Sequence, residues 1–109
     1  MTEESPYIYF KNLAGEIPEI PADSILSRTI YKDDQANVVL FGFAPGQELS
    51  EHTASQPALL YFIEGEATLT LGEDVLEAGP GTWARMAPRL AHRIQARTKL
   101  VMLLILLKG

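Results

Sequence analysis

The chain has 109 residues, of which 47% are hydrophobic and 21% are charged, and its formal net charge is -5. This length and composition predict a single globular domain, residues 1–109, and argue against a disordered chain. The nine basic residues are scattered and are outnumbered by fourteen acidic ones, which argues against nucleic acid as a partner. The absence of cysteine excludes disulfides, thiolate metal sites and a cysteine nucleophile.

The two ends of the chain predict a cytoplasmic protein that does not contact a membrane. The first seven residues, MTEESPY, are acidic and polar, whereas a secretory signal begins basic and continues apolar. The longest apolar run, residues 100–107, has eight residues, while a helix that crosses a bilayer needs about 20. We therefore expect this run to be a buried strand.

Short strands separated by turn residues are predicted along the whole chain. A first strand is expected at 8–10, before a loop rich in proline and polar residues, and residues 26–31 and 37–44 form a predicted hairpin. The remaining predicted strands are 58–63, 67–71, 75–77, 82–86, 92–96 and 100–107. Turn residues recur about every 8 to 12 residues, and no apolar stripe at helical spacing exceeds two turns, so the pattern predicts an all-β sandwich or barrel.

The two histidines of the chain occupy similar places in this pattern. His52 precedes the strand 58–63 in a stretch that begins at Gly46 and ends at Gly65, and His92 follows Gly81. This spacing of glycine and histidine resembles the two motifs of the cupins, which are small β-barrels of jelly-roll type. The resemblance covers about residues 38–107 and implies a double-stranded β-helix, a jelly-roll barrel, with residues 1–37 as N-terminal strands and loop.

The resemblance also implies a metal site, of which this chain retains half. Cupins usually hold their metal with three histidines and one glutamate, and His52 and His92 match two of these positions. Ala54 and Ala58 stand where the first motif has its second histidine and its glutamate. Two ligands rarely hold an ion against water. A divalent ion such as zinc, iron, manganese or nickel on His52 and His92 would need a further ligand, for which Gln56 is the best placed.

The histidines also have roles without a metal. Neutral imidazoles can hydrogen-bond to each other, to water or to the backbone, or can transfer protons, because their unperturbed pKa is about 6.5. Alternation from Ala58 places Leu60 and Phe62 with it on the face that carries the family's ligand, and Tyr61 on the other face. The predicted pocket is lined by His52, Ala54, Gln56, Ala58, Leu60, Phe62 and His92.

Two functions remain open at this point. The first is the binding of a small organic ligand in the barrel cavity by a metal-free or weakly metal-binding protein, because Ala54 and Ala58 make the pocket more apolar and roomier. The second is a metal-dependent enzyme, an oxygenase or isomerase, that uses His52 and His92. The last strand is apolar on both faces and needs cover on both sides, which either the chain's own N-terminal segment or a second subunit would supply. The resemblance to a family that is commonly dimeric favours a homodimer.

Overall fold

The computed structural model describes residues 5–108, and the side chain of His52 lies outside this description. Within this part of the chain, nine strands follow one short 3-10 helix at Leu13–Glu16. The strands are β1 (Ile25–Lys32), β2 (Ala36–Phe43), β3 (Glu48–His52), β4 (Ala58–Glu64), β5 (Ala67–Leu71), β6 (Asp74–Ala78), β7 (Trp83–Met86), β8 (His92–Ala96) and β9 (Leu100–Leu107). Among residues 5–108, no helix is long and apolar enough to cross a membrane.

The strands form two antiparallel sheets that pack face to face. The five-stranded sheet has the order β1-β2-β9-β4-β7, and the four-stranded sheet has the order β3-β8-β5-β6. The chain passes between the two sheets at β2 to β3, β3 to β4, β4 to β5, β6 to β7, β7 to β8 and β8 to β9. The all-β, double-sheet prediction of jelly-roll type is therefore confirmed, although the two sheets do not join into a closed barrel.

Most strand predictions agree with the structure, and the differences have physical reasons. The predicted strand at 8–10 is wrong, because these residues pair with no strand of the described chain, and Tyr7 and Tyr9 are 72% and 73% exposed. β3 was missed because its sequence, ELSEH, is mostly polar, and its hydrogen bonding to β8 makes it a strand. The 3-10 helix lies inside the predicted N-terminal loop.

The core lies between the sheets, where alternate residues of each strand meet. The side chains of Leu60 and Phe62 on β4, Leu69 on β5, Ile94 on β8 and Met102 on β9 are at most 1% exposed. All five belong to one buried cluster. We call the sheet faces that meet in this cluster the inner faces.

The outer face of the five-stranded sheet is covered over only part of its width. Ile17, from the N-terminal segment, packs with Leu40 of β2 and Val101 of β9 in a second buried cluster. Farther along the same sheet, Tyr61 of β4 lies opposite Trp83 of β7, and these side chains are 42% and 60% exposed. The N-terminal segment therefore covers one part of the last strand's outer face and leaves a neighbouring aromatic surface open.

Candidate functional site

The connections between strands bring the two histidine positions to one end of the sandwich. β3 ends at His52 and β4 begins at Ala58, while β7 ends at Met86 and β8 begins at His92. The loops 53–57 and 87–91 therefore lie at the same end, which we call the site end. A hydrogen bond of 2.6 Å from the Arg89 backbone N–H to the Ala54 carbonyl joins the two loops.

A one-residue bulge in β3 places His52 opposite His92. Leu49 pairs with Ile94, and the next pair along the strands is His52 with His92, so three steps along β3 match two steps along β8. Regular pairing from Leu49 would instead put Glu51 opposite His92. The bulge thus places His52, and not Glu51, at the register position opposite His92.

The environment of His92 defines which ring nitrogen carries its hydrogen. His92 is 5% exposed, and among the residues that the structure describes it is the one polar residue that is buried. Its Nδ1 lies 3.1 Å from the Leu90 carbonyl oxygen. Because a carbonyl oxygen can only accept, Nδ1 donates this hydrogen bond, and in the neutral ring the lone pair is on Nε2. His92 is therefore oriented as a hydrogen-bond acceptor or metal ligand through Nε2.

Ala58 lies in an apolar part of the inner face at the site end. It is 1% exposed and pairs with Met86 of β7 and Leu106 of β9. The methyl group of Ala58 has no atom that can bind a metal, and the same holds for Ala54, which is half-buried in the loop 53–57. Gln56 is half-buried in the same loop. The structure brings the loop residues and Ala58 to the site end.

Leu60 and Phe62 share the inner face with Ala58 but lie deeper in the core. The alternation predicted for β4 is confirmed by its burial pattern, in which Ala58, Leu60 and Phe62 are buried and Tyr61 is exposed. At about 3.3 Å per residue, Leu60 is about 7 Å and Phe62 about 13 Å from Ala58 along the strand. A ligand at the site end would therefore meet Ala58 first and Phe62 last.

Sequence reasoning missed Asn37, which stands on the inner face of β2 at the site end. Asn37 lies opposite Leu106, which lies opposite Ala58 on the other side of β9. The side-chain oxygen Oδ1 of Asn37 is shielded from solvent and has no hydrogen-bond partner in the described part of the chain. The sequence did contain a sign of this residue. In the predicted strand, Asn37 is the one polar residue on the face that it shares with Val39, Phe41 and Phe43.

Arg93 and Arg85, the two strand arginines near the site end, point away from the interior. Arg93 of β8 forms an ion pair with Glu48 of β3, and this pair stands on the outer face of the four-stranded sheet. The hydrogen bond to the Glu48 carboxylate raises the pKa of the Arg93 guanidinium above its usual value. Arg85 is exposed on β7, next to the inward residue Met86. The inner face of the site end is therefore apolar around His92 and Asn37.

The residues present do not fit the metal site of three histidines and one glutamate. Across residues 5–108, no three histidine, cysteine, aspartate or glutamate side chains that the structure describes are grouped closely enough to hold a metal ion. His52 and His92 can supply at most two ligands, and the alanines at positions 54 and 58 supply none. The donor set therefore falls short of a family-type metal centre.

The fold is shared with several solved structures. A cupin superfamily protein from Desulfitobacterium hafniense DCB-2 aligns with a TM-score of 0.86 at 26% identity, covering 95% of this chain and 94% of that one. A conserved protein of unknown function from Streptococcus pyogenes aligns with a TM-score of 0.82 at 24% identity, covering 98% and 91%. A cupin 2 conserved barrel domain protein from Leptotrichia buccalis aligns with a TM-score of 0.81 at 26% identity, covering 89% of this chain and 47% of that one.

The sequence comparisons identify the domain. No curated protein matches the chain. The family model described as the cupin domain matches residues 39–107, which include β3 to β9 and both histidine positions. This match and the two-sheet fold agree with the glycine and histidine spacing. The chain belongs to the cupin-domain family.

Proposed function

We propose that this protein binds a small organic ligand between its sheets at the site end, without a metal or with only weak metal binding. The observation that carries the proposal is the apolar, buried Ala58 at the position where the family motif has its glutamate. With no carboxylate there, the inner face offers apolar contact, and the polar ring of His92, held by its Nδ1 hydrogen bond to the Leu90 carbonyl, lies at the same end of the fold. Apolar walls with a few placed polar groups are typical of small-molecule sites.

The proposed pocket is lined by the seven residues predicted from the sequence. Along β4, Ala58 lies nearest the site end and Phe62 lies deepest. His52, Ala54, Gln56 and Ala58 contribute its outer part, together with His92, and Leu60 and Phe62 form its floor. The ligand is expected to be compact, because Leu60 and Phe62 are fully buried in the core. A compact body with one or two polar groups would match this surface better than a phosphate or a sugar acid.

A second candidate function is a metal-dependent enzyme, an oxygenase or isomerase, that uses His52 and His92. Two observations favour it: the directly opposed positions of the two histidines and the hydrogen bond from Nδ1 of His92 to a backbone carbonyl. Histidines that bind a metal usually donate their other ring N–H in this way. This function would require a third ligand, and Gln56 in the loop 53–57 is the candidate.

Metal content and ligand binding, measured on the same protein, distinguish the two functions. Elemental analysis of protein purified without chelator is expected to give far less than one metal ion per chain. A metal-free sample is expected to be stabilised against heat by members of a small-molecule library, with NMR shifts at the Ala58 methyl group. The His52→Ala, His92→Ala double variant is the control and is expected to lose or weaken this binding.

The opposite results would decide for the enzyme. One metal ion per chain that disappears in the double variant would overturn the metal-free proposal. Gln56→Ala would then test the third ligand, since it should lower the metal content if Gln56 binds the ion. A protein that takes up no zinc, iron, manganese, nickel or copper after reconstitution would overturn the enzyme proposal.

We also propose that the single domain works in the cytoplasm as a homodimer that uses the open part of the outer sheet face. The support for the dimer is the exposure of Tyr61 on β4, which adjoins the apolar strand β9, and of Trp83 on β7, the strand next to β4. Leu103 of β9 lies opposite Tyr61 and continues the row. A second copy would bury these aromatic side chains, which are enriched at the centres of protein interfaces.

A further inference from the structure

Asn37 carries a buried acceptor that the fold itself does not use. Its Oδ1 is shielded from solvent and has no hydrogen-bond partner among the described residues, whereas the large majority of buried side-chain polar atoms in proteins have one. A buried acceptor without a partner costs stability. Such a group calls for an explanation, and a bound molecule that supplies a donor is one.

The strand register places the Asn37 side chain on the same inner sheet face as Ala58. Asn37, Leu106 and Ala58 follow one another across β2, β9 and β4, so their side chains share the inner face of the five-stranded sheet. Strands in a sheet are about 4.8 Å apart, which puts the backbones of Asn37 and Ala58 about 10 Å from each other. Leu106 lies between them and packs against the main core.

Asn37 also lies at the same end of the fold as His92. Residues 58, 86 and 92 bound the loops of the site end, and Ala58 pairs with Leu106 and Met86 in the row that contains Asn37. The facing sheet contributes His92, which lies opposite Leu71 of β5. Packed sheets lie about 10 Å apart with interdigitating side chains, so a small molecule bound where the strands end would contact side chains of both sheets.

We propose that Asn37 Oδ1 accepts a hydrogen bond from a hydroxyl or N–H group of the ligand and so determines which ligands the site selects. This inference rests on the proposed function, because it assigns the ligand's donor group to a residue of the same site. The row continues from Asn37 through the apolar side chains of Leu106, Ala58 and Met86, which favour a compact apolar body that carries this donor. The hydrogen bond selects against molecules of equal size that lack the donor, because they leave Oδ1 buried and unpaired.

This inference is tested on the full chain with pairs of isomers, of which one has a hydrogen-bond donor and the other has none. Benzyl alcohol has a hydroxyl group that its isomer anisole lacks, and butan-1-ol has one that diethyl ether lacks. NMR titration of the metal-free protein follows the side-chain amide of Asn37 and the methyl groups of Ala58 and Met86. We expect at least one alcohol to bind about tenfold more tightly than its ether and to shift the Asn37 amide signal.

The Asn37→Leu variant distinguishes the contribution of Asn37 from that of His92, whose ring can also accept a hydrogen bond. The variant is expected to melt no lower than the parent, because it removes an unpaired buried oxygen and keeps a side chain of similar size. It should bind the alcohol and the ether within about twofold of each other. Asn12→Leu, at the other asparagine of the chain, lies before the 3-10 helix on an exposed surface and should keep the preference for the alcohol.

The outcomes distinguish this inference from the proposed function. Equal binding of alcohol and ether with shifts at Ala58 would overturn the role of Asn37 and leave the interior site standing. An alcohol preference that survives in Asn37→Leu would do the same. No shift at Ala58, Met86 or Asn37 with any of the four molecules would contradict both. If Asn37→Leu does not fold, the Asn37 amide signal in the parent still decides the question.

Discussion

His52 and His92 stand directly opposite each other on β3 and β8, because a bulge in β3 removes Glu51 from that register position. The pair retains two of the four ligand positions of the cupin motif. The two remaining positions, Ala54 and Ala58, lie in the adjoining loop and strand. A single substitution at either position therefore tests how far the site is from metal binding.

Ala54→His is expected to create a zinc site of three histidines. With a third ligand present, the apparent affinity for zinc should rise about tenfold or more, and added zinc should raise the melting temperature of the variant more than that of the parent. Titration calorimetry and thermal unfolding measure the two effects. Thr53→His, one residue away, is the matched control and should bind zinc like the parent; an equal gain in both variants would contradict the assignment of position 54.

Gly65→Ala is expected to destabilise the fold more than Gly81→Ala. The two glycines have nearly the same left-handed backbone, with φ of 93° and 92°, so an alanine costs about 1–3 kcal/mol at each from backbone strain alone. A Cβ at Gly65 would also overlap the Lys99 carbonyl oxygen, whereas nothing lies within 4 Å of a Cβ at Gly81. We expect the loss at Gly65 to exceed that at Gly81 by about 2 kcal/mol or more, as measured by urea unfolding.

This comparison also tests the turn that follows β4. The excess at Gly65 comes from the close approach of the 99–100 backbone, where β9 begins. Equal losses of unfolding free energy in the two variants would show that the turn can move away from Lys99. The close packing described for this turn would then be wrong.

Asp33 is expected to make stability depend on acid pH. Hydrogen bonds from the Tyr31 hydroxyl and from the backbone N–H groups of Gln35 and Ala36 lower the pKa of its carboxyl. A carboxyl whose pKa is lower in the folded state stabilises the fold above its unfolded pKa of about 3.9 and loses this effect as the pH falls through the folded value. Asp33→Asn should therefore be less stable than the parent at pH 7, and the difference should shrink below pH ~4.

Urea unfolding at pH 7 and at about pH 3 measures this difference. Asp34→Asn, at the neighbouring exposed position of the same turn, controls for the change in net charge. A constant gap between the Asp33 variant and the parent at both pH values would contradict the assigned role of the carboxylate. Because Asp33 is at the surface, the effect is expected to be modest and to weaken in salt.

Trp83→Glu is expected to convert the proposed dimer into a monomer. Trp83 and Tyr61 form the exposed aromatic pair on the outer face of the five-stranded sheet, and a carboxylate in the centre of an apolar interface is costly to bury. Val75→Glu places the same charge on β6 of the other sheet, at a side chain that is 70% exposed. Light scattering with size exclusion should give a monomer for the first variant and a dimer for the second.

The parent and Val75→Glu results are equally informative for the dimer. A monomeric parent at micromolar concentration would contradict the homodimer proposal. A dimer that survives Trp83→Glu and is lost in Val75→Glu would move the interface to the four-stranded sheet.

Much of the fold was predictable because its signals are local. Alternation along β4 correctly placed Leu60 and Phe62 inside and Tyr61 outside, since side chains of a strand alternate with a period of two wherever the strand pairs. The strands 92–96 and 100–107 were predicted with the observed bounds. The strand expected at 8–10 failed because a strand needs a partner, and its local sequence carries no information about one.

The sequence by itself determined the chemical content of the candidate site: two histidines, and no donor at positions 54 and 58. Only the tertiary structure decided that His52 rather than Glu51 lies opposite His92, because the bulge is defined by pairing with β8. It also decided that Asn37 Oδ1 is buried without a partner in the described chain and that Trp83 faces outward. Strand register and the burial of a side chain depend on contacts between segments far apart in sequence, which no local pattern encodes.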